Sequence, residues 1–483
     1  MKKLYIYDVR GIQKYIFRTN KIKEIIGASA LVESLVLTLF KECTKKAANK
    51  NIVTDISEND KLKFQFDDKN TIDAEIVYYG GGNLLVLYND EEFAEQISKE
   101  MCMALVQKTY SLQMAYASVD VQNENSYETD YKKLRQQLEK VKDNMPMCRP
   151  VKGFPITLND PLTGMAFSKE YKGKMCTYEA CKKLEKYDAL NINPQKIDEF
   201  GTEEGNSRIA IVHIDGNSMG KRIKKTMEGV RDYKTAAEKY RKLSGNIQDI
   251  FVNTALKNVE NNVEKMCEKA GLQNRTKDTV YRRIISAGDD ITFICNSKIA
   301  MSCVTTFMDA LNKEELGYTA CAGIYITHSK FPFSKAYELS EELCDSAKVP
   351  SRKEAGNYVD FQFRMGASLN SLEMIREKQF ISFEGKTLIG RPYHIGAPLK
   401  DENVKELDDL MTMLNDLKKR NVPRTKLKNL RDMFFEGEAL VDYELNKINS
   451  RLTDEDKVIN PDHQILFDAI DILDLGWEEQ NDL

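Results

Sequence analysis

Ile284-Ile-Ser-Ala-Gly-Asp-Asp-Ile-Thr-Phe-Ile-Cys295 sets two adjacent carboxylates, Asp289 and Asp290, between two runs rich in β-branched and aromatic residues. Gly and Asp accept the positive φ of a tight two-residue turn, so the stretch reads as a β-hairpin. A hairpin tip is an ordinary feature, and its meaning depends on what surrounds it. Upstream, residues 208–214 form an apolar strand that ends in Asp215, followed by the start of a helix at 217–225 and a long helix over 233–270. The hairpin strands are expected at 279–285 and 291–295, then a helix at 297–312, a strand at 318–328 and a helix at 334–347. That order is β-α-β-β-α-β, the ferredoxin-like order.

The same order precedes it. A strand at 3–8, a short helix at 12–17, a longer helix at 27–45, strands at 75–79 and 84–88 and a helix at 91–108 lead to a strand at 113–121. Gly80-Gly81-Gly82-Asn83 makes the hairpin turn. We therefore expect an α+β protein: a first ferredoxin-like domain at 1–145, a Pro- and Cys-containing linker or insert at 146–205, a second such domain at 206–368 and an α-helical domain at 369–483. In the last, amphipathic helices are expected at 404–420, 424–435 and 439–451.

Composition limits the function classes. The 483 residues are 42% hydrophobic and 30% charged, with 71 Lys+Arg against 75 Asp+Glu, and they contain no apolar run long enough to span a bilayer. With a formal charge of −4, no global field advertises nucleic-acid binding. Asp8 and Arg10 interrupt any signal-peptide core, so a cytoplasmic protein without a membrane partner is expected. The 10 Cys are read as buried thiols rather than a disulfide framework. Cys176 and Cys181 with the more distant Cys148 have a loose zinc-like spacing, but no fourth ligand is evident. The four histidines, among them His213 and His328 near the site, lack ligand spacing and read as packing or supporting residues.

In a β-α-β-β-α-β sheet the end of the first strand and the tip of the hairpin meet at one edge, which brings Asp215 toward Asp289 and Asp290. Carboxylates gathered there repel unless a divalent cation holds them, so all three are candidate catalytic and metal-binding residues for Mg²⁺ or Mn²⁺. Gly216-Asn217-Ser218-Met219-Gly220 is a strand-to-helix turn whose backbone N–H groups can approach a phosphate, and Ser286 and Gly288 flank the acids. Lys221, Arg222, Lys335 and Lys348 can neutralise a triphosphate; for each the solvated-surface role is the commoner one, and Lys348 is the strongest candidate. Two metals between carboxylates support in-line attack of a 3′-hydroxyl on an α-phosphate.

These motifs resemble those of GGDEF-type and class III nucleotidyl cyclases, and most of all the polymerase/cyclase palm of the large subunit of type III CRISPR effector complexes. The resemblance rests on Ala287-Gly-Asp-Asp290, Asp215, Ala347-Lys348, the first-repeat segments Asp8-Val-Arg-Gly-Ile-Gln13 and Ile26-Gly-Ala-Ser29, and Arg391-Pro-Tyr393. It implies conversion of ATP, with other nucleoside triphosphates open, into a cyclic oligoadenylate or cyclic dinucleotide with release of pyrophosphate, in antiviral defence. It also implies an acceptor nucleotide at Gly80, Gly81, Gly82 and Asn83 of a metal-free first palm. Ala287 departs from the family's first hairpin Gly, and no His-Asp nuclease precedes Lys3, so DNase activity is not expected. The short chain favours a standalone or reduced enzyme, monomeric or homodimeric. The alternative is a non-catalytic nucleotide- or RNA-binding sensor or scaffold among other CRISPR-type subunits. A template-directed polymerase lacks the basic channel it would need, and GTP specificity, as in a diguanylate cyclase, is not readable.

Overall fold

A computed structural model describes the chain except for residues 1, 34, 48, 56–63, 67–70, 81, 147–152, 192–199, 201–206, 273–274, 315, 364–370, 400–403, 421, 452, 454–456, 459–460 and 478–483. Gly81 and Cys148 therefore lie outside the described residues. The architecture is α+β, with two sheet-rich regions and a C-terminal helical region. The strands are β1 (Lys3–Arg10), β2 (Ile52–Val53), β3 (Ala74–Gly80), β4 (Asn83–Tyr88), β5 (Gln113–Asp120), β6 (Lys169–Tyr171), β7 (Lys174–Cys176), β8 (Arg208–Gly216), β9 (Tyr281–Ala287), β10 (Asp290–Asn296), β11 (Ala320–His328), β12 (Asn357–Phe363) and β13 (Tyr393–Ile395).

The chain divides into two compact units, one of residues 1–195, 218–249 and 284–289 and one of residues 196–217, 250–283 and 290–483. In the first unit, the sheet runs β2-β3-β4-β1-β5. One face carries a tyrosine layer, in which the Tyr7 hydroxyl lies 2.9 Å from those of both Tyr88 and Ser98. On the other face Leu4, Ile6, Val77 and Leu85 share a core with Leu134 and Leu138 of helix Tyr127–Asn144 and Ala237 and Tyr240 of helix Tyr233–Ile247. Arg241 of the latter helix is fully buried; it pairs with Glu75 at 2.8 Å and donates to the Val77 carbonyl at 3.2 Å. The Glu75 carboxyl is pushed up by burial, against the pull of Arg241.

The other large sheet is ordered β13-β12-β11-β8-β10-β9, and its strands β8 and β11 are buried along nearly their whole length. Helix Phe333–Ser351 packs across β11, β8 and β12, and helix Ala300–Asn312 contributes Phe307 against Phe251. Arg391, buried in the C-terminal region, pairs with Asp468 at 3.0 Å and Asp471 at 3.2 Å of helix His463–Ile472.

Several expectations need correction. The helix expected over 27–45 is two helices, Ile22–Val32 and Leu35–Lys45, because Glu33 leaves helical geometry at ψ 119°. The helix expected over 233–270 changes at Gln248–Leu256 to wider π-type winding before continuing as Lys257–Lys269. Region 146–205 is more than a linker: β6, β7 and helix Tyr178–Ala189 are formed there, and Cys176 and Cys181 are joined as a disulfide rather than free thiols. Helix Tyr127–Asn144, strands β12 and β13, and helices Leu372–Gln379 and His463–Ile472 were not anticipated. The tail is thus not wholly helical, since β13 pairs antiparallel with β12. Among the described residues, no helix is long and apolar enough to cross a membrane.

Candidate active site

Antiparallel pairing sets the site. On β8 and β10, Ile214 faces Ile291 and His213 faces Thr292, so the next step of the register puts Asp215 across from Asp290. Directly opposed residues on antiparallel strands share a face, with Cα atoms roughly 4.5–5.5 Å apart. Both carboxylates are half-buried, and helix Phe333–Ser351 covers the same face. From its last turn Lys348 reaches Asp215, Nζ to Oδ2 at 2.6 Å, and also approaches Asp345 at 3.1 Å. Burial works against the Lys348 ammonium more than any other single influence, but the hydrogen bonds it donates to Asp215 and Asp345 and the nearby negative charge together outweigh burial, and the pKa is raised.

His213 and Thr292 support the acids from below. The His213 Nδ1 lies 3.1 Å from the Thr292 hydroxyl and 3.7 Å from Asp290 Oδ1, and its ring meets Tyr337 edge-on at 5.8 Å. Burial pulls the imidazole down to about 4; Asp215 opposes that shift and Lys348 adds to it. The ring is therefore neutral at pH 7 and fixes this corner by packing and hydrogen bonding. The phenol of Tyr337 is pushed up, by burial first and then by the charge of Asp290. Tyr337 and Thr292 were missed from sequence; only their spacing on a helix and a strand facing His213 could have suggested them.

The turn after β8 is locked by Asn217. Its backbone N–H donates to the Thr319 carbonyl at 2.8 Å, and its amide donates to Thr319 Oγ1 at 3.1 Å and to the Gly356 carbonyl at 3.0 Å. Asn217 is therefore a structural brace rather than a side chain turned toward ligand. Gly216 completes β8, Ser218 takes a left-handed φ of 57° to start helix Met219–Met227, and Met219 is buried, so it too offers only backbone. Beyond Gly220 a Cβ would meet open space, so the helix start is accessible.

Asp289 stands on the hairpin turn behind Gly288, whose φ of 69° needs glycine. It belongs to the first unit, where its charge contributes, after burial, to raising the Tyr78 phenol to about 12. Asp215 and Asp290 are thus brought together, and Asp289 is not placed in a cluster with them: no three His, Cys, Asp or Glu side chains make a metal-holding group among the described residues. Ser286, in the same segment, is half-buried. Lys335 stands apart from Lys348. It lies thirteen residues before Lys348 on one helix, about 20 Å away at 1.5 Å per residue, and it is paired with Glu338 at 3.1 Å and Glu342 at 4.0 Å. His328 is exposed and accepts from the Lys330 N–H at 3.1 Å.

The first sheet repeats the arrangement with one acid missing. Asp8 on β1 faces Asn83 on β4, as Asp215 faces Asp290, and Asp8 is ion-paired to Lys142 near the end of helix Tyr127–Asn144. Lys142 and Lys348 each stand fifteen residues beyond the first residue of their helix. Gly80 pairs with Asn83 to close the β3–β4 turn, which includes Gly82 in a left-handed conformation.

Close packing holds Lys348 in place. A Cβ added to Gly323 on β11 would lie 2.1 Å from the Ser340 carbonyl oxygen and 2.5 Å from the Cys344 nitrogen, both helix backbone. Gly323→Ala must therefore push the helix away from the sheet. We expect a loss of about 1–3 kcal/mol from overpacking, read as a lower urea midpoint, with Lys348 withdrawn from Asp215.

Residues 208–356 match the family model described as Cas10/Cmr2, second palm domain. This segment is similar to that palm domain. Among curated proteins no significant match is found. Solved structures similar to the whole chain include Csm1 in T. onnurineus, at 14% identity and TM-score 0.53 over 99% of this chain and 70% of that one. They also include a Csm1-Csm4 cassette in complex with pppApA, at 13% identity and TM-score 0.56 over 99% and 69%, and one in complex with one ATP, at 14% and 0.53 over 99% and 70%. The chain as a whole thus resembles the large subunit of type III CRISPR complexes, and at these identities the likeness is one of fold. Within the palm, the facing Asp215 and Asp290 suit Mg²⁺ or Mn²⁺, since such ions take one or two protein carboxylates and complete their shell with water and phosphate oxygens.

Proposed function

We propose that this chain is a nucleotidyl cyclase that makes a cyclic oligoadenylate or cyclic dinucleotide from ATP, as part of a CRISPR-like antiviral defence in the cytoplasm. The observation that carries the reading is the facing pair Asp215 and Asp290, set at a strand-to-helix turn under Lys348, within the Cas10/Cmr2 palm segment. Similar solved structures, Csm1-Csm4 cassettes in complex with ATP, pppApA and cA3, support nucleotide chemistry on this fold. We read each sheet as a ferredoxin-like palm, with residues 206–368 catalytic, residues 1–145 degenerate and residues 369–483 as a C-terminal cap.

In this reading Asp215 and Asp290 would hold the cation, and Asp289 stays a candidate ligand from the sequence alone. Bound Mg²⁺ or Mn²⁺ would supply charge neutralisation on the triphosphate and lower the pKa of an attacking 3′-hydroxyl. The N–H groups of Ser218, Met219 and Gly220, at the start of a nine-residue helix, would be the phosphate donors in this reading. Lys348 offers them an ammonium, and Asn217 keeps the turn from collapsing. Gly80, Gly82 and Asn83 of the first palm, with Gly81 outside the described residues, would cradle the acceptor nucleotide without a metal.

Incubation of the purified protein with each nucleoside triphosphate and Mg²⁺ or Mn²⁺, with products identified by mass spectrometry, tests this directly. A cyclic adenylate from ATP is the expected result. ATP that binds but yields no product under any metal would overturn the enzyme and favour a nucleotide or RNA sensor working among other subunits.

A further inference from the structure

Two palms of different fate carry the same ion pair. In the second, Lys348 holds Asp215 at 2.6 Å, although Asp215 faces another carboxylate on the next strand. In the first, Lys142, at the same helical position, holds Asp8, which faces the uncharged Asn83. Where only one acid stands at the strand end, the lysine is a complete counter-ion. Where two acids stand there, the ammonium is paired with one of them, Asp215.

We infer that Lys348 is an internal stand-in for the divalent cation, occupying Asp215 until a triphosphate draws the ammonium away, so that metal and nucleotide enter the second palm together. This rests on the proposed function. A cation arriving alone must break a half-buried ion pair and then sit beside the displaced ammonium, a like charge. With a triphosphate present, the ammonium has a new anionic partner and Asp215 is released. Asp345, exposed and 3.1 Å from Lys348, is a second carboxylate within the ammonium's reach. The first palm, one acid short, keeps its lysine in place.

Mn²⁺ binding to the full-length protein, followed by electron paramagnetic resonance without nucleotide and with a non-hydrolysable ATP analogue, tests the inference without relying on turnover. For the wild type we expect weak Mn²⁺ binding alone and at least tenfold tighter binding with the analogue. Lys348→Met, which keeps the aliphatic stem, should bind Mn²⁺ at least tenfold more tightly than wild type without nucleotide, and Lys348→Gln gives a second variant if the first misfolds by circular dichroism. Adding Asp215→Asn should remove the gain. Equal nucleotide-free affinity in wild type and Lys348→Met, at a site still abolished by Asp215→Asn, overturns the stand-in role and leaves the proposed function intact. Mn²⁺ binding indifferent to Asp215→Asn, with or without the analogue, overturns both.

Discussion

Asp215→Asn is expected to abolish product formation from ATP, by at least about 10³-fold in initial rate, or about 4 kcal/mol of transition-state stabilisation. Asn keeps the shape of Asp but not its charge, so the β8 register with β10 and β11 should persist while the facing acid pair is lost. Removing this acid also leaves Lys348 with Asp345 as its nearby carboxylate. Circular dichroism and thermal melting should match wild type, which separates lost chemistry from lost fold. Initial rates with saturating ATP in Mg²⁺ and in Mn²⁺ give the readout. A variant that retains a tenth or more of the wild-type rate would remove Asp215 from the catalytic machinery.

The second large effect concerns stability. Arg391 is fully buried; it pairs with Asp468 at 3.0 Å and Asp471 at 3.2 Å, donates to the Phe361 carbonyl at 2.8 Å, and lies 4.5 Å from the Phe361 ring centre. Asp468 is fully buried as well and also accepts from Tyr393 at 2.7 Å and from the Gly390 N–H at 2.9 Å. Arg391→Ala strands a carboxylate in a low-dielectric interior, and breaking such a pair from one side costs about 3–5 kcal/mol. Urea unfolding should show that loss as a lower midpoint at unchanged slope. Arg391→Met combined with Asp468→Leu should recover much of it, because the uncompensated charge is gone. A single variant within 1 kcal/mol of wild type, the range of an exposed pair, would mean the network is more hydrated than its burial implies.

Much of this was legible in the sequence, and the exceptions have physical causes. The hairpin around Asp289 and Asp290 declared itself through apolar runs broken by Gly-Asp, and the strand ending in Asp215 through an unbroken β-branched run. The partners of those strands followed from their order. Lys348 was singled out, whereas Lys335 was assigned to the site although helical rise alone puts the two about 20 Å apart. Helix Tyr127–Asn144 was overlooked because its charged exposed face masks a narrow apolar seam of Tyr127, Leu134 and Leu138. With it went Lys142, whose partner Asp8 is 134 residues away in the chain and invisible to local pattern. Strand β12 was lost because Asp360 and Gln362 are buried polar residues that break the expected apolar reading. Asn217 was read for its position in a phosphate-type turn, but the hydrogen bonds that spend its amide are long-range.

The helix that carries Arg241 follows β8 in sequence, yet it completes the core of the first unit. The chain leaves the first unit, makes β8, returns to supply that helix, and leaves again, so the units are interleaved in sequence and no single cut separates them. An expression boundary at residue 205, natural if the repeats are read as beads on a string, would sever Glu75 from Arg241 and leave a carboxylate buried without its cation. For anyone dissecting this protein, the smallest unit that respects its core is larger than the smallest unit its repeats suggest.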